Sequence, residues 1–454
     1  MKCLPSLWVA ALVPLAAGMK VSAMPPRPSN QNVIFILADD LGYMDVGCYN
    51  PKTFYETPNI DRLAKEGMRF TSGYAACPVC SPTRASILTG KYPVRTGITN
   101  YIGGNRAGKL PPAPNADHLA LEEVTLAEAF RAAGYKTFFA GKWHLGGEAF
   151  SPQAQGFDVV PHLQPSTDDP KTSDQIATEC IRFIEANRDG PFFAYLAFHA
   201  VHIPIKARQS LVEKYEKKAQ SAPATEWGTE RGSKVRLTQN HAGYAAMVEQ
   251  MDAAIGRVLD AVERNGIDDK TVVVFMSDNG GLATAEGHPT SNLPLRAGKG
   301  WLYEGGVREP WIIKAYGYVK TGGVCDEPVT STDFYPTLLE ICGLPALPKQ
   351  HVDGQSLIPL LAGRAMKRGP IYWHYPHYGN QGGAPAGAIR DGDWKLIEWY
   401  EDGRLELYNL RDDIGETKNL VQANPAKAKE LHDKLVAWRK ETNAVMPTPV
   451  KGDK

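Results

Sequence analysis

Short apolar runs recurring among helix-patterned stretches restrict the fold of this chain more than any other feature. They fall at residues 33–38, 137–140, 192–198 and 271–276. A run without polar alternation has both faces buried, and such strands alternating with helices form a mostly parallel sheet covered on both sides. Two of the intervening helices are well marked. Thr125 and Glu128 form a capping box ahead of Leu126, Ala127 and Phe130, with Gly134 as the stop. Tyr244, Met247, Met251, Ile255 and Leu259 make one stripe along a helix over 242–264.

With 454 residues, 43% of them hydrophobic, the chain can bury one large α/β core and a smaller one. Beyond residues 367–370 the pattern changes to aromatic-rich strand-like pieces at 372–375 and 394–397, then a helix near 427–442. The reading is therefore a catalytic domain over 24–366 and a C-terminal α+β subdomain over 367–454 with a small antiparallel sheet. The aromatic stretch 372–378 suits either a sugar-binding rim or core packing.

The N-terminus carries Lys2, an apolar run over 4–17 and then Val21-Ser22-Ala23, the pattern of a leader (1–23) cleaved after Ala23. The expected location is periplasmic or secreted. That run is short for a membrane span and no later one reaches twenty residues, so stable membrane insertion is not expected. Basic and acidic side chains balance at 50 each, which excludes a nucleic-acid footprint read from overall charge. Seven cysteines are too few for a disulfide-held fold.

Ligands of open α/β sheets bind outside the carboxyl ends of the strands, and here each of those positions carries chemistry. Asp39 and Asp40 follow the first run; Ser277, Asp278 and Asn279 follow the last. Either group alone reads as a helix cap or turn. If their two strands are neighbours, they form an all-oxygen cluster that selects a hard cation, calcium or magnesium, over zinc. Lys142 and His144 follow the second run, His199 and His202 the third, and Lys299 sits in a Gly-Lys-Gly loop. Ser81 suits a helix N-cap, Pro82 the first helical position and Gly90 the stop, which places Cys80 at a helix N-terminus, and Arg84 adds a guanidinium. Read alone, Cys77-x-x-Cys80 suits a buried cysteine, a redox pair or a metal site. Acidic metal ligands beside lysine, arginine and histidine are what cleaving a tetrahedral oxyanion ester requires, with sulfur and phosphorus both open.

Cys80-Ser81-Pro82-Thr83-Arg84 followed by Leu88-Thr89-Gly90, with Gly-Lys-Trp-His-Leu-Gly over 141–146, closely resembles the motifs of the type I, formylglycine-dependent sulfatases of the alkaline phosphatase superfamily. The resemblance runs from Asn32 to about Leu420, and bacterial carbohydrate and aryl sulfatases are its nearest form. It implies that a maturation enzyme converts Cys80 to formylglycine, whose hydrate attacks sulfur and passes through a covalent sulfoenzyme. It implies calcium, with magnesium possible, on Asp39, Asp40, Asp278 and Asn279, with the modified Cys80 among the ligands. Arg84 and His144 would hold the hydrate, Lys142, His202 and Lys299 would contact sulfate, and His202 or Lys299 would protonate the leaving oxygen. His199 is the fallback for His202. The implied substrate is a sulfated carbohydrate or aryl sulfate, most simply a terminal sulfated sugar. The alternatives are a phosphate or phosphonate monoester hydrolase, an inactive glycan-binding relative, and a thiol–disulfide protein using Cys77 and Cys80. A Cys77–Cys80 bridge is not expected, since Cys80 must be a free thiol to be converted.

Overall fold

The apolar runs form four neighbouring strands at one side of a seven-stranded sheet in the computed structural model, which describes residues 30–447; the expected leader lies outside them. Its strands are β1 (Asn32–Ala38), β2 (Met68–Phe70), β3 (Lys136–Gly141), β4 (Phe192–Ala197), β5 (Thr271–Ser277), β6 (Trp311–Lys314) and β7 (Gly323–Cys325). They lie in the order β7-β2-β6-β5-β1-β4-β3, all parallel except where β6 meets β5 and β2. Successive side chains of a strand point to opposite faces, and β1 divides accordingly. Ile34, Ile36 and Ala38 pack on one side with α1 (Pro58–Glu66), and Val33, Phe35 and Leu37 pack on the other with α2 (Cys80–Thr89) and α3 (Leu126–Ala132). Ile176 and Phe183 of α4 (Ser173–Asn187) and Met251 and Ile255 of α5 (Ala242–Arg264) complete the first face. Phe334 and Leu338 of α6 (Phe334–Ile341) complete the second. The Thr125 hydroxyl accepts the Glu128 N–H to cap α3, as its sequence predicts.

After the sheet the chain forms a four-stranded antiparallel meander, β8 (Ile371–Tyr375), β9 (Ala386–Asp391), β10 (Trp394–Trp399) and β11 (Leu405–Asn409). One face packs Trp373, Tyr375, Ile397 and Trp399 against Val79, Trp301 and Tyr303; the other packs Ile389, Leu396 and Leu407 against Leu431 and Leu435 of α7 (Pro425–Glu441). Trp373 and Tyr375 are each 1% exposed, so for these two rings the aromatic stretch is core. A buried ion cluster joins the meander to the strand-end loops. Lys395 of β10 pairs with Glu304 at 2.8 Å and Glu416 at 2.9 Å, and Arg308 Nε reaches Glu304 at 2.6 Å. No helix of the described residues is long and apolar enough to cross a membrane.

Candidate active site at the strand ends

Strand register brings the polar residues together. Ala38 lies opposite Ser277, Leu37 opposite Ala197, and Ala197 opposite Gly141, so β1, β5, β4 and β3 end side by side. Asp39 and Asp40, Asp278 and Asn279, His199 and His202, and Lys142 and His144 leave from that one edge. Asp39 N–H donates to the Ala200 carbonyl and Val201 N–H to the Asp39 carbonyl, which ties the histidine loop to β1. Gly300 N–H donates to the Pro78 carbonyl at 2.8 Å, which ties the Lys299 loop to the segment before Cys80. Asp40 at φ 65° and His144 at φ 57° are left-handed, a conformation that Asp and His tolerate better than most residues.

Asp39, Asp40 and Asp278 are fully buried, and each meets a cation. Lys142 Nζ is 2.6 Å from Asp39 Oδ2, Lys299 Nζ 2.7 Å from Asp40 Oδ1, and Arg84 places Nε and Nη2 at 2.9 and 2.7 Å from Asp278 Oδ2. Asn279 Nδ2 donates to Asp40 Oδ1 at 2.8 Å. Burial opposes ionisation of Asp39, but Lys142, His202, Arg84 and Lys299 outweigh it and hold the group well below the usual carboxylate range. Burial and the adjacent Asp39 push Asp278 up to about 6, the crowding of like charge that a divalent cation would relieve.

Cys80 is the first residue of α2 and 2% exposed, with Sγ 3.5 Å from Lys142 Nζ and 3.6 Å from Asp39 Oδ1. The helix begins at Cys80, two residues ahead of the expected first position at Pro82. Val79, not Ser81, is the N-cap, and the Ser81 hydroxyl instead accepts the Ile102 N–H at 3.0 Å. Gly90 closes the helix at φ 67° as expected. Cys77 and Cys80 are both free thiols. Burial raises the Cys80 thiol far above its ordinary value despite Lys142 and Lys299. Thiolate chemistry is thus disfavoured there, which argues against the redox reading.

His202 Nδ1 lies 2.8 Å from the Ile203 carbonyl, so it carries the proton and leaves Nε2, 3.7 Å from Asp40 Oδ2, facing the cluster. Asp39, Asp40, Cys80 and His202 each offer a ligand atom within 4.8 Å of the others. His199 instead lines an adjoining cavity, and burial, with Lys142, Arg84 and Lys171, lowers it to about 4 against Asp39. His144 Nε2 is 3.2 Å from the Ile102 carbonyl, and burial with Lys142 and Arg84 keeps its ring neutral, with a pKa of about 4. Its Nδ1 is then a buried acceptor without a donor. Lys171, at the mouth of α4, escaped the sequence reading because nothing local marks it; only the fold brings it near Asp39 and Lys142.

The donor set fits a hard cation. It is rich in carboxylates, and Asn279 Oδ1 is buried beside them without a partner. The family model of the sulfatases matches residues 31–344, and that of the C-terminal part of N-sulphoglucosamine sulphohydrolase matches 297–441. The chain is 34% identical to a sulfatase of Formosa agariphila, over 95% of this chain and 93% of that one. It is 34% identical to arylsulfatase A of Homo sapiens, over 90% and 86%. The crystal structure of Ps i-CgsB in complex with k-i-k-neocarrahexaose matches with a TM-score of 0.76 and 26% identity, over 93% of this chain and 96% of that one.

Proposed function

Because the chain belongs to the sulfatase family, and is on that ground a sulfuric ester hydrolase, we propose that it is an exported enzyme that removes sulfate from a sulfated glycan, using formylglycine made from Cys80. The observation that carries this reading is the position of Cys80, at the start of α2, 3.5 Å from Lys142 and 3.6 Å from Asp39. In this reading residues 1–23 are a leader, 24–366 the catalytic domain and 367–454 a C-terminal subdomain.

Formylglycine at position 80 would supply, once hydrated, the hydroxyl nucleophile that a buried thiol cannot. Calcium, or magnesium in its place, on Asp39, Asp40, Asp278, Asn279 and residue 80 would supply positive charge to the sulfate oxygens. The chain's own groups do the rest. Asp278 grips Arg84 on one side of the guanidinium, which fixes the side chain beside residue 80. The unpartnered Nδ1 of His144 suits a hydroxyl donor at that position. Lys142 and Lys299 neutralise Asp39 and Asp40 and would turn part of that charge to an incoming sulfate. His202 turns Nε2 to the cluster and, as the imidazolium, would give the proton of that nitrogen to the leaving oxygen, with Lys299 as the second candidate donor. The carbohydrate substrate is supported by the likeness to Ps i-CgsB, whose structure holds k-i-k-neocarrahexaose.

The test pairs the mass of the Cys80 peptide from the native host with sulfate release from aryl sulfates and sulfated sugars, aryl phosphates being assayed in parallel. Formylglycine is expected, with sulfate release that falls at least about 10³-fold in Cys80→Ala. An unmodified thiol, with no release after co-expression with a maturation enzyme, overturns the reading; faster phosphate release moves it to the phosphate and phosphonate esterases.

A further inference from the structure

Two adjoining hollows lead away from the strand-end cluster, and only the inner one touches it. The inner one, about 450 Å³, begins at Gly141 and His199 and is lined by His162 and Lys171. Pro165 and Pro170 line both it and the outer groove, about 1400 Å³, which carries Lys206, Arg236 and His241 with one acid, Glu216. Groove and cluster therefore form one path along the surface, and its charge is mostly positive.

Lys171 is half-buried, yet neither it nor the exposed Lys206 pairs with a carboxylate among the described residues. Most surface lysines owe their position to a solvated or paired head group, and a half-buried ammonium without a counter-ion is unfavourable. Burial above all, with Lys142 and Lys206 acting against Asp39 and Asp40, draws Lys171 down to about 8. Its loop is nevertheless held firmly. Thr172 sits at φ 57°, a strained value for a β-branched residue, and its N–H donates to the Asp169 carbonyl. Gln250 Nε2 holds the Asp168 carbonyl at 2.9 Å, and Asp169 Oδ2 accepts the Gln175 N–H at 3.0 Å. Rigid support of an unpaired cation beside a reaction site is what a preorganised anion contact looks like.

We propose that Lys171 and Lys206 form a second anion subsite, which takes a sulfate or carboxylate on the sugar next to the one being desulfated. This rests on the sulfatase reading above and deepens it: the preferred substrate is an oligosaccharide with more than one negative charge. Lys171 supplies the inner, partly desolvated contact, and Lys206 the outer, salt-sensitive one.

The test titrates two labelled probes into the calcium-loaded protein that retains Cys80: an ι-carrageenan tetrasaccharide, whose only anions are sulfates, one on every sugar, and a hyaluronan tetrasaccharide, whose only anions are carboxylates. Wild type, K171Q, K206Q and the double variant are compared at two salt concentrations, with thermal unfolding to confirm that each folds. The double variant is expected to weaken at least one probe tenfold or more and to flatten its salt dependence, each single variant giving part of the loss. The probe that weakens names the anion. Binding of both probes unchanged in the folded variants, or no binding to wild type, overturns the subsite. Sulfate release by the matured wild type is measured alongside. Release with unchanged binding sinks the subsite alone, whereas no release from any aryl sulfate or sulfated oligosaccharide sinks the sulfatase reading.

Discussion

At the scale of single residues, burial decides which carboxyl groups behave as acids. Asp45 accepts hydrogen bonds from Gly42 N–H, Gln239 Nε2 and the hydroxyls of Thr290 and Tyr244, yet burial outweighs these donors and pushes it up to about 6. In the unfolded chain the same group titrates near the ordinary aspartate value of 3.8. Between those values the native state holds a proton that the unfolded state has released, so stability falls as pH rises from about 4 to about 6. At ~1.4 kcal/mol per pH unit, Asp45 contributes a fall of about 3 kcal/mol. Urea unfolding of wild type and Asp45→Asn from pH 4 to 7 should show wild type losing that much relative to the variant. A pH-independent difference would refute the assignment. Asp45 and Lys171 were both invisible to sequence reasoning, since neither carries a motif and each owes its environment to residues far along the chain. Asp39, Asp40, Asp278 and Asn279 were legible because they directly follow apolar strands.

At the scale of elements, α2 sets where Cys80 stands, and its end is under tight constraint. Gly90 combines φ 67° with a neighbour so near that an added Cβ would lie 2.4 Å from His351 Cβ. Gly134, after α3, has φ 87° with open space around it. A left-handed alanine costs about 1–2 kcal/mol from backbone alone, and overpacking a core adds about 1–3. Gly90→Ala should therefore lose about 2–5 kcal/mol in denaturant unfolding and Gly134→Ala only about 1–2; equal losses would show that the contact with His351 is relieved cheaply. The stop of α2 was legible because glycine at a helix end is a local signal. Its start was not. Ser81 has the chemistry of a cap, but its hydroxyl is taken by Ile102 N–H, and Gly300 N–H fixes the chain at Pro78.

At the scale of the whole molecule, the buried ion cluster couples the C-terminal meander to the loops around the site. Lys395 separates Glu304 from Glu416, and Glu304 N–H also donates to Glu416 Oε2 at 2.6 Å. Burial works against Glu304, but Lys395, Arg308 and Arg390 keep it ionised, far below the usual range. Lys395→Met would leave two buried acids facing each other without the cation between them. A loss of about 3–5 kcal/mol is expected, with faster amide exchange across β8–β11 than across β1 and β5. A loss under 1 kcal/mol, or exchange that rises evenly over both sheets, would show that the cluster does not carry the coupling.

The sequence alone determined the parallel sheet, its covering helices and the loading of its strand ends, because hydrophobic periodicity and the residues just past a buried run are local properties. It also marked the cysteine motif and both groups of acidic residues. Tertiary structure decided which strands lie side by side, and hence that β1, β5, β4 and β3 deliver their polar ends to one place. It decided that His202 faces Asp40 while His199 turns to the adjoining cavity, and that Lys171 comes near Lys142. Those relations depend on strand order, on loop paths and on the balance of burial against charge, none of which is carried by residues adjacent in the chain.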